Sequence, residues 1–326
     1  MKRMFMTMAS FVLLLTGCMG QDGDSLLVMF WNMENFFDYR DGGAGESDRE
    51  FSSYGERHWT KRRFMAKCNA VSKSIYWISD RYGRLPDIIG LAEIENSNVL
   101  YRLLNDTALK KAGYSFVHYE GNDRRGIDVA LLYRKAGFRK ISHTRKIPVT
   151  REGDTLQTRE ILHVELKPME SPSVDLIVNH HPSKYGGTDE SQARREAAMS
   201  ALKELTDSLA AVRGPNHHII AMGDFNDNPE SGPFEMMKRS LVNMGEDLHS
   251  RGKGTIRYEG RWELIDMFLV SQDMQEDVRM EIVKVPFLMT RDTKHAGEKP
   301  FRTYSGPKYM GGVSDHCPIV LRFIGQ

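Results

Sequence analysis

Cysteine is scarce: three residues in 326, at positions 18, 68 and 317. So few cannot staple a disulfide framework, and the spacing of Cys68 and Cys317 fits no zinc site. Both are expected to be buried and unpaired among their apolar neighbours. A dominant charge is missing too. Lys plus Arg number 45 and Asp plus Glu 44, a formal net charge of +1. That balance excludes a protein that coats nucleic acid by bulk attraction, but not an enzyme that visits it briefly. No internal repeat, low-complexity tract or Pro/Ser linker divides the chain. With 40% hydrophobic and 27% charged residues, the composition is that of a folded protein rather than a disordered or fibrous one.

Long apolar runs are absent but for one. Lys2 and Arg3 precede Met4 to Leu15, and Leu15-Thr16-Gly17-Cys18 follows. The run is too short to cross ~30 Å of hydrocarbon. A basic start, a short apolar stretch and small residues at the cut describe a secretory signal. Cys directly after Leu-Thr-Gly looks like the lipobox of a bacterial lipoprotein, in which Cys18 is acylated and becomes the new N-terminus. The expected layout is a signal peptide over 1–17, a lipid-anchored tether over 18–25 and one domain over 26–326. The protein would then sit outside the cytoplasm, held on a bacterial membrane, with no obligate protein partner evident.

Apolar runs of strand length recur through the rest: Leu26 to Trp31, Ile88 to Leu91, Val129 to Tyr133, Ile161 to Leu166, Val174 to Val178, His218 to Met222, Ile265 to Val270 and Pro318 to Phe323. Two helices follow from spacing. Phe64, Cys68, Val71, Ile75 and Ile78 fall three or four apart, as do Ala198, Leu202, Leu205, Leu209 and Val212, and each set makes one apolar stripe. Many strands with few long helices predict packed sheets with helices outside. Asp38 to Arg57 and Arg291 to Gly312 are too polar and glycine-rich for either pattern and are expected as long loops.

The chemistry lies at the strand ends. Leu26 to Trp31 runs into Asn32, and Ile88 to Ala92 into Glu93. Val174 to Val178 runs into Asn179-His180-His181, and His218 to Met222 into Gly223-Asp224-Phe225-Asn226. Asp266 and Ser314-Asp315-His316 instead stand at strand beginnings. A strand running the opposite way begins where its neighbours end, so both sets can share one rim of a mixed sheet. Carboxylates, amides and two histidines gathered there make an oxygen-rich site for Mg²⁺ or Mn²⁺, with a phosphate as the natural third party.

Seven segments in order carry a resemblance: WNMENF (31–36), LAEIEN (91–96), RRGIDVALLY (124–133), VNHHPS (178–183), GDFND (223–227), LIDMFLVS (264–271) and SDHCPI (314–319). The chain resembles the endonuclease/exonuclease/phosphatase superfamily, to which deoxyribonuclease I and exonuclease III belong, from about Leu26 to Phe323. The resemblance implies a four-layer α/β sandwich, two packed mixed β-sheets flanked by helices. It implies Glu93 as principal metal ligand, with Asn32 and Asp315 close to the metal. Asp224 and Asn226 would orient the attacking water and a phosphoryl oxygen. His316 would be the active-site histidine held by Asp266. His180, which directly follows Val178-Asn179, would be the histidine on the phosphate, in preference to His181. Asp128, in the third segment, is a candidate partner for a histidine on the substrate side.

A divalent ion neutralises an anionic ester, and a histidine near its pKa suits proton transfer. No Ser or Cys nucleophile with an activating base is evident, so water is expected to attack directly. The expected activity is hydrolysis of phosphodiesters, foremost DNA or RNA outside the cytoplasm. Sugar-, inositol- or lipid-phosphate hydrolysis uses the same residues, and a non-catalytic surface binding lipoprotein is a further alternative. For substrate docking the late loop stands out. Pro286 to Gly312 holds Arg291, Lys294, Lys299, Arg302 and Lys308 against Asp292 and Glu298, whereas Asp38 to Arg57 is net acidic. Arg302 and Lys308 are the candidate substrate contacts, with Phe301, Tyr304 and Tyr309 as stacking surfaces for bases.

Overall fold

The computed structural model of the chain describes residues 26–324 apart from 44, 170, 185–187 and 215–216. The signal segment, Cys18 and the tether expected over 18–25 lie outside the described residues. In chain order the main elements are β1 (Leu27–Phe36), α1 (Lys61–Tyr82), β2 (Ile88–Ile94), α2 (Ser97–Asn105), β3 (Tyr114–His118), β4 (Asp128–Arg134), β5 (Phe138–Lys146) and β6 (Ile161–Pro168). They continue with β7 (Val174–His180), α3 (Thr188–Arg213), β8 (His218–Asp224), β9 (Leu241–Asn243), β10 (Asp266–Ser271), β11 (Val278–Ile282) and β12 (Ile319–Phe323). None of the helices among the described residues is long and apolar enough to cross a membrane.

Two six-stranded sheets result, in the orders β11-β12-β1-β2-β4-β3 and β5-β6-β7-β8-β10-β9. Each contains one parallel pair, β1 with β2 and β7 with β8. A parallel pair needs a crossover, and α1 and α3 supply the two. Antiparallel strands flank both pairs. The period of two in β1 explains the layering. Val28 and Phe30 face the core between the sheets, while Leu27, Met29, Trp31 and Met33 face α1 and α2. On that outer side α1 lays down Phe64, Cys68, Val71, Ile75 and Ile78, all fully buried. Burying each apolar side chain of that size contributes roughly 1.5–3 kcal/mol. α3 covers the outer face of the second sheet with Met199 and Leu202. The expected four-layer sandwich is what forms.

Gly90 shows how closely the sheets approach. A Cβ there would lie 2.5 Å from Met222 Sδ, on the facing sheet. Cys68 and Cys317 are both buried and free. One expectation needs correcting. Val212 is 82% exposed, so the apolar stripe of α3 ends at Leu209. Within the two six-stranded sheets, the strands outside the expected apolar runs are β3, β5, β9 and β11, which are the four sheet edges. An edge strand need not be apolar on both faces, and β5 buries only Phe138.

The C-terminal end of α3 is fastened by a polar cluster. Asp175, fully buried on β7, lies 2.6 Å from His163 Nε2, takes a contact from His217 Nε2 and forms an ion pair with Arg213 Nε at 2.9 Å. Arg213 Nη1 donates to Glu165 Oε1 at 2.7 Å, and Ser142 Oγ to Glu165 Oε2 at 3.0 Å. The Arg213 hydrogen bond, with that of Ser142, holds the Glu165 carboxyl down at about 2. A group depressed in the folded state stabilises it above its unfolded pKa and stops doing so as pH falls through the folded value. Glu165→Gln should therefore cost roughly 1–3 kcal/mol at pH 7. The difference from the parent chain should shrink between pH 4.5 and pH 2 in denaturant melts; a gap independent of pH would contradict the ionic account.

Candidate metal and phosphate site

The site is built across the seam of the two sheets. Asn32 lies in β1 where its pairing with β2 begins to shift register, and Glu93 is the next-to-last residue of β2; His180 and Asp224 end β7 and β8. Asp266 opens β10, paired opposite Asp224, and His316 precedes β12. Three contacts bridge the sheets. Asn32 Nδ2 donates to Asp224 Oδ2 at 3.0 Å, His316 Nδ1 lies 2.8 Å from Asp266 Oδ2, and His180 Nε2 is 3.9 Å from Glu93 Oε1. His180 Nε2 and His316 Nε2 also stand 3.6 and 3.9 Å from Asp224 Oδ2. Asp224, Asp266 and His316 offer ligand atoms all within 4.8 Å of one another.

The backbone is bent to aim these groups. Glu34, Asn35, Glu93 and Asn226 all have left-handed φ, between 46° and 61°. Such angles are uncommon outside glycine and collect where function over-determines the backbone. Around Glu93 the β2–β4 register slips, with Ala92 opposite Val129 and Ile94 opposite Asp128. This bulge leaves Glu93 as the extra residue, so Leu91 and Ile94 can both enter the outer core. Gly223 of the GDFND segment is required by packing. A Cβ there would lie 2.4 Å from the Asn179 carbonyl oxygen, which would push β7 and β8 apart beside His180 and Asp224.

Charge on the seam is set by neighbours. Burial opposes ionisation of Glu93, but Arg125, the Asn35 amide and His316 outweigh it and hold the carboxyl below its ordinary value. Asn35 N donates to Glu93 Oε2 at 2.6 Å and Arg125 Nη2 to Oε1 at 3.4 Å. Burial, reinforced by Asp266, pushes Asp224 up to about 7. Burial also opposes charging of His316, yet Asp266, through its field and its hydrogen bond, keeps that ring well above the ordinary histidine value. His180 is the reverse: burial first, then Arg159 and Arg125, hold it well below, so it is neutral at pH 7.

The donor set fits a hard cation. Its oxygens are carboxylates, Asp266 Oδ1 is buried with no hydrogen-bond partner, and Asp224 and Asp266 repel each other in the absence of positive charge. Asn32 Oδ1 already accepts from Glu34 N at 2.9 Å, so its amide braces Glu93 and Asp224 with its NH₂ side.

Not every expected residue joins the cluster. Asp315 does, with Oδ1 3.8 Å from His316 Nε2. Asn226 turns its Nδ2 to the His181 carbonyl and its N–H to Asp224 Oδ1. His181 packs edge-on against Phe225, 4.9 Å between ring centres, away from the carboxylates that face His180. Asp128 stands 3.9 Å from His118 Nε2, so the histidine it meets lies on β3 rather than on the seam. Arg302 is not a free docking base: Nε donates to Glu34 Oε1 at 3.0 Å and Nη2 to Asp315 Oδ2 at 2.8 Å. Lys308 is exposed on the hairpin formed with Tyr304–Ser305, in no ion pair among the described residues. Tyr304 is only 6% exposed, packed against Phe51, Trp59 and Tyr309, and cannot stack on a base.

Four residues escaped the sequence reading. Glu34 is buried, receives Arg302 and the Thr303 amide, and its carbonyl takes Lys67 Nζ at 2.6 Å. Burial, with Asp315, pushes Glu34 up to about 7, and burial pulls Lys67 down to about 8. Arg125 and Arg159 complete the set. Arg159 donates to Asp123 and to the His181 carbonyl. Both arginines stand just before strands that begin at the rim, so the rule that found Asp266 and His316 also applies to them. They line an open cleft of about 1620 Å³ together with Arg124, Arg151 and Ser183, and Arg125 links that cleft to Glu93 through its hydrogen bond.

Comparison with known proteins agrees with this geometry. Residues 27–324 match the model of the Endonuclease/Exonuclease/phosphatase family. Curated proteins give no significant match. Among solved structures, an endonuclease/exonuclease/phosphatase family protein from Bacteroides thetaiotaomicron is similar at a TM-score of 0.59 and 15% identity, over 92% of this chain and 98% of that one. The human Nocturnin catalytic domain with bound sulfate gives 0.57 and 17%, over 92% and 94%. A mannosyl-6-phosphatase of Bacteroides thetaiotaomicron gives 0.58 and 14%, over 92% and 100%. At such identities these likenesses speak for the fold alone. Taken with the family match across nearly every described residue, they place the chain in the endonuclease/exonuclease/phosphatase family, whose members are divalent-metal-dependent enzymes that hydrolyse phosphate esters.

Proposed function

We propose that the chain is a Mg²⁺- or Mn²⁺-dependent phosphodiesterase acting outside the cytoplasm, with nucleic acid as its foremost substrate class. The seam of Asn32, Glu93, His180, Asp224, Asp266 and His316 carries this reading. Glu93, ionised and facing His180, would hold the ion with Asp315 beside it. A bound ion neutralises the ester and stabilises the leaving oxygen. His316, charged and held by Asp266, is a proton donor to a phosphoryl or leaving oxygen. Neutral His180 presents Nε2 toward the same space. Asp224, fixed by Asn32 and the Asn226 amide, accepts from the attacking water. The Cys317 thiol, pushed up to about 12 by burial, is no nucleophile, in keeping with direct attack by water.

Hydrolysis of a sugar phosphate is the second reading. The inward turn of Tyr304 and the ion pairs of Arg302 remove much of the base-binding platform expected on the late loop. One solved relative is itself called a mannosyl-6-phosphatase.

A substrate panel separates the two. With residues 19–326 in Mg²⁺ or Mn²⁺, plasmid DNA, RNA and bis-p-nitrophenyl phosphate should be hydrolysed faster than p-nitrophenyl phosphate or a hexose phosphate. Preference for the monoesters would transfer the case to the second reading. Chelator should abolish turnover, and Glu93→Gln should raise the Mg²⁺ concentration needed for half-activation, with partial rescue at excess metal. Full activity in chelator would remove the metal mechanism altogether.

Asp266 and His316 should behave as one unit. Asp266→Asn/His316→Ala should be little slower than His316→Ala alone, because a carboxylate that holds a ring has no work once the ring is gone. Losses that multiply, in variants with unchanged thermal melts, would show that Asp266 acts independently of the histidine.

A further inference from the structure

The end of the sandwich opposite the seam carries a basic apron. β4 leaves the rim at Asp128 and finishes at Arg134, and β6 finishes at Pro168. Tyr114 pairs with Arg134, Lys135 N donates to the Gly113 carbonyl, and Arg139 pairs with Lys167. These contacts join residues 108–113, 134–140 and 166–169 into one surface. Lys110, Lys111, Lys135, Arg139, Lys140 and Lys167 are all exposed on it. The three segments contain no Asp or Glu, and none of the six bases forms an ion pair among the described residues.

Three bases elsewhere at this end are neutralised. Arg81 and Arg322 pair with Glu281, and Arg84 with Asp87. Lysine placed to keep a sheet edge from pairing would account for Arg139 and Lys140 on β5. It does not account for Lys110 and Lys111 in a short 3-10 helix, Lys135 in a turn or Lys167 on an inner strand.

The apron also adjoins the start of β1, the first described strand. Leu27 N donates to Asp87 Oδ2, and Arg134 N donates to the Asp87 carbonyl, so the start of β1 and the end of β4 meet on a single residue. Cys18 is eight residues before Leu26, a reach of at most ~28 Å at ~3.5 Å per residue. Anchoring at Cys18 would hold these bases at a membrane surface, where exposed Lys and Arg are attracted to anionic headgroups.

We propose that this apron is a docking surface for anionic phospholipid headgroups, which turns the catalytic seam away from the membrane. The choice of partner rests on the lipobox reading of Cys18, and it is independent of which ester is hydrolysed.

Vesicle sedimentation tests it without the lipid anchor, using residues 19–326, which keep every described element. The protein should pellet with phosphatidylglycerol/phosphatidylcholine vesicles, not with pure phosphatidylcholine, and should be released by raising NaCl from 0.1 to 0.5 M. Lys135→Glu/Arg139→Glu/Lys140→Glu should lower partitioning at least tenfold while hydrolysis of bis-p-nitrophenyl phosphate stays unchanged. The milder Lys110→Gln/Lys111→Gln/Lys167→Gln should lower it several-fold and guards against loss of folding. Lys253→Glu/Arg261→Glu, made elsewhere on the surface, should bind as the parent does. The proposal fails if anionic vesicles do not bind, or if the apron variants bind as well as the parent. It fails equally if the apron retains an oligonucleotide but no vesicle.

Discussion

Everything at the seam depends on burying several carboxylates within a few ångströms of one another. Asp224 and Asp266 sit opposite each other on paired strands, both almost without exposure, and one is pushed up to about 7. Desolvated like charges are costly, and the usual escapes are a proton, a paired cation or a metal. Part of the charge is met by His316 on Asp266 and by Arg125 on Glu93. The remainder is charge that a divalent ion at the seam would neutralise. The fold supplies the geometry because each sheet has one parallel pair, and both pairs end at the same rim.

Behind this rim lies a second tier of charge that fixes its outer edge. Glu34 receives Arg302 and the Thr303 amide, Arg302 reaches Asp315, and Lys67 holds both the Glu34 carbonyl and Thr303 Oγ1. α1, the bulged end of β1 and the late loop are thereby joined beneath Asp315. A loop that looks, by charge, like a docking arm for a polyanion is partly spent in holding the site together. Lys299 shows the same economy, 3.4 Å from Asp292 within its own loop.

How far the sequence foretells this follows from burial. Strands apolar on both faces announce themselves, and all eight expected runs form strands. The four edges stay silent, since β5 meets water along nearly its whole length. The seam residues were legible because strand direction alone gathers strand ends with strand beginnings. What sequence could not convey is the fate of a side chain in a loop. Tyr304 falls into an aromatic cluster with Phe51 and Trp59, which lie far away in sequence, and Asp128 meets His118 through the pairing of β3 with β4. Glu34 was hidden within WNMENF, where its left-handed backbone and its distant partner Arg302 leave no local pattern.

The central claim is that the uncompensated carboxylates hold one divalent ion against Glu93. Crystals grown with Mn²⁺, examined by an anomalous-difference map at the manganese edge, give the most direct view. A single strong peak should lie within about 2.0–2.6 Å of a Glu93 carboxylate oxygen, on the side facing His180 and Asp224. A map with no peak at the seam, or one whose peak lies away from Glu93 while that carboxylate keeps only Asn35 and Arg125, would contradict the account.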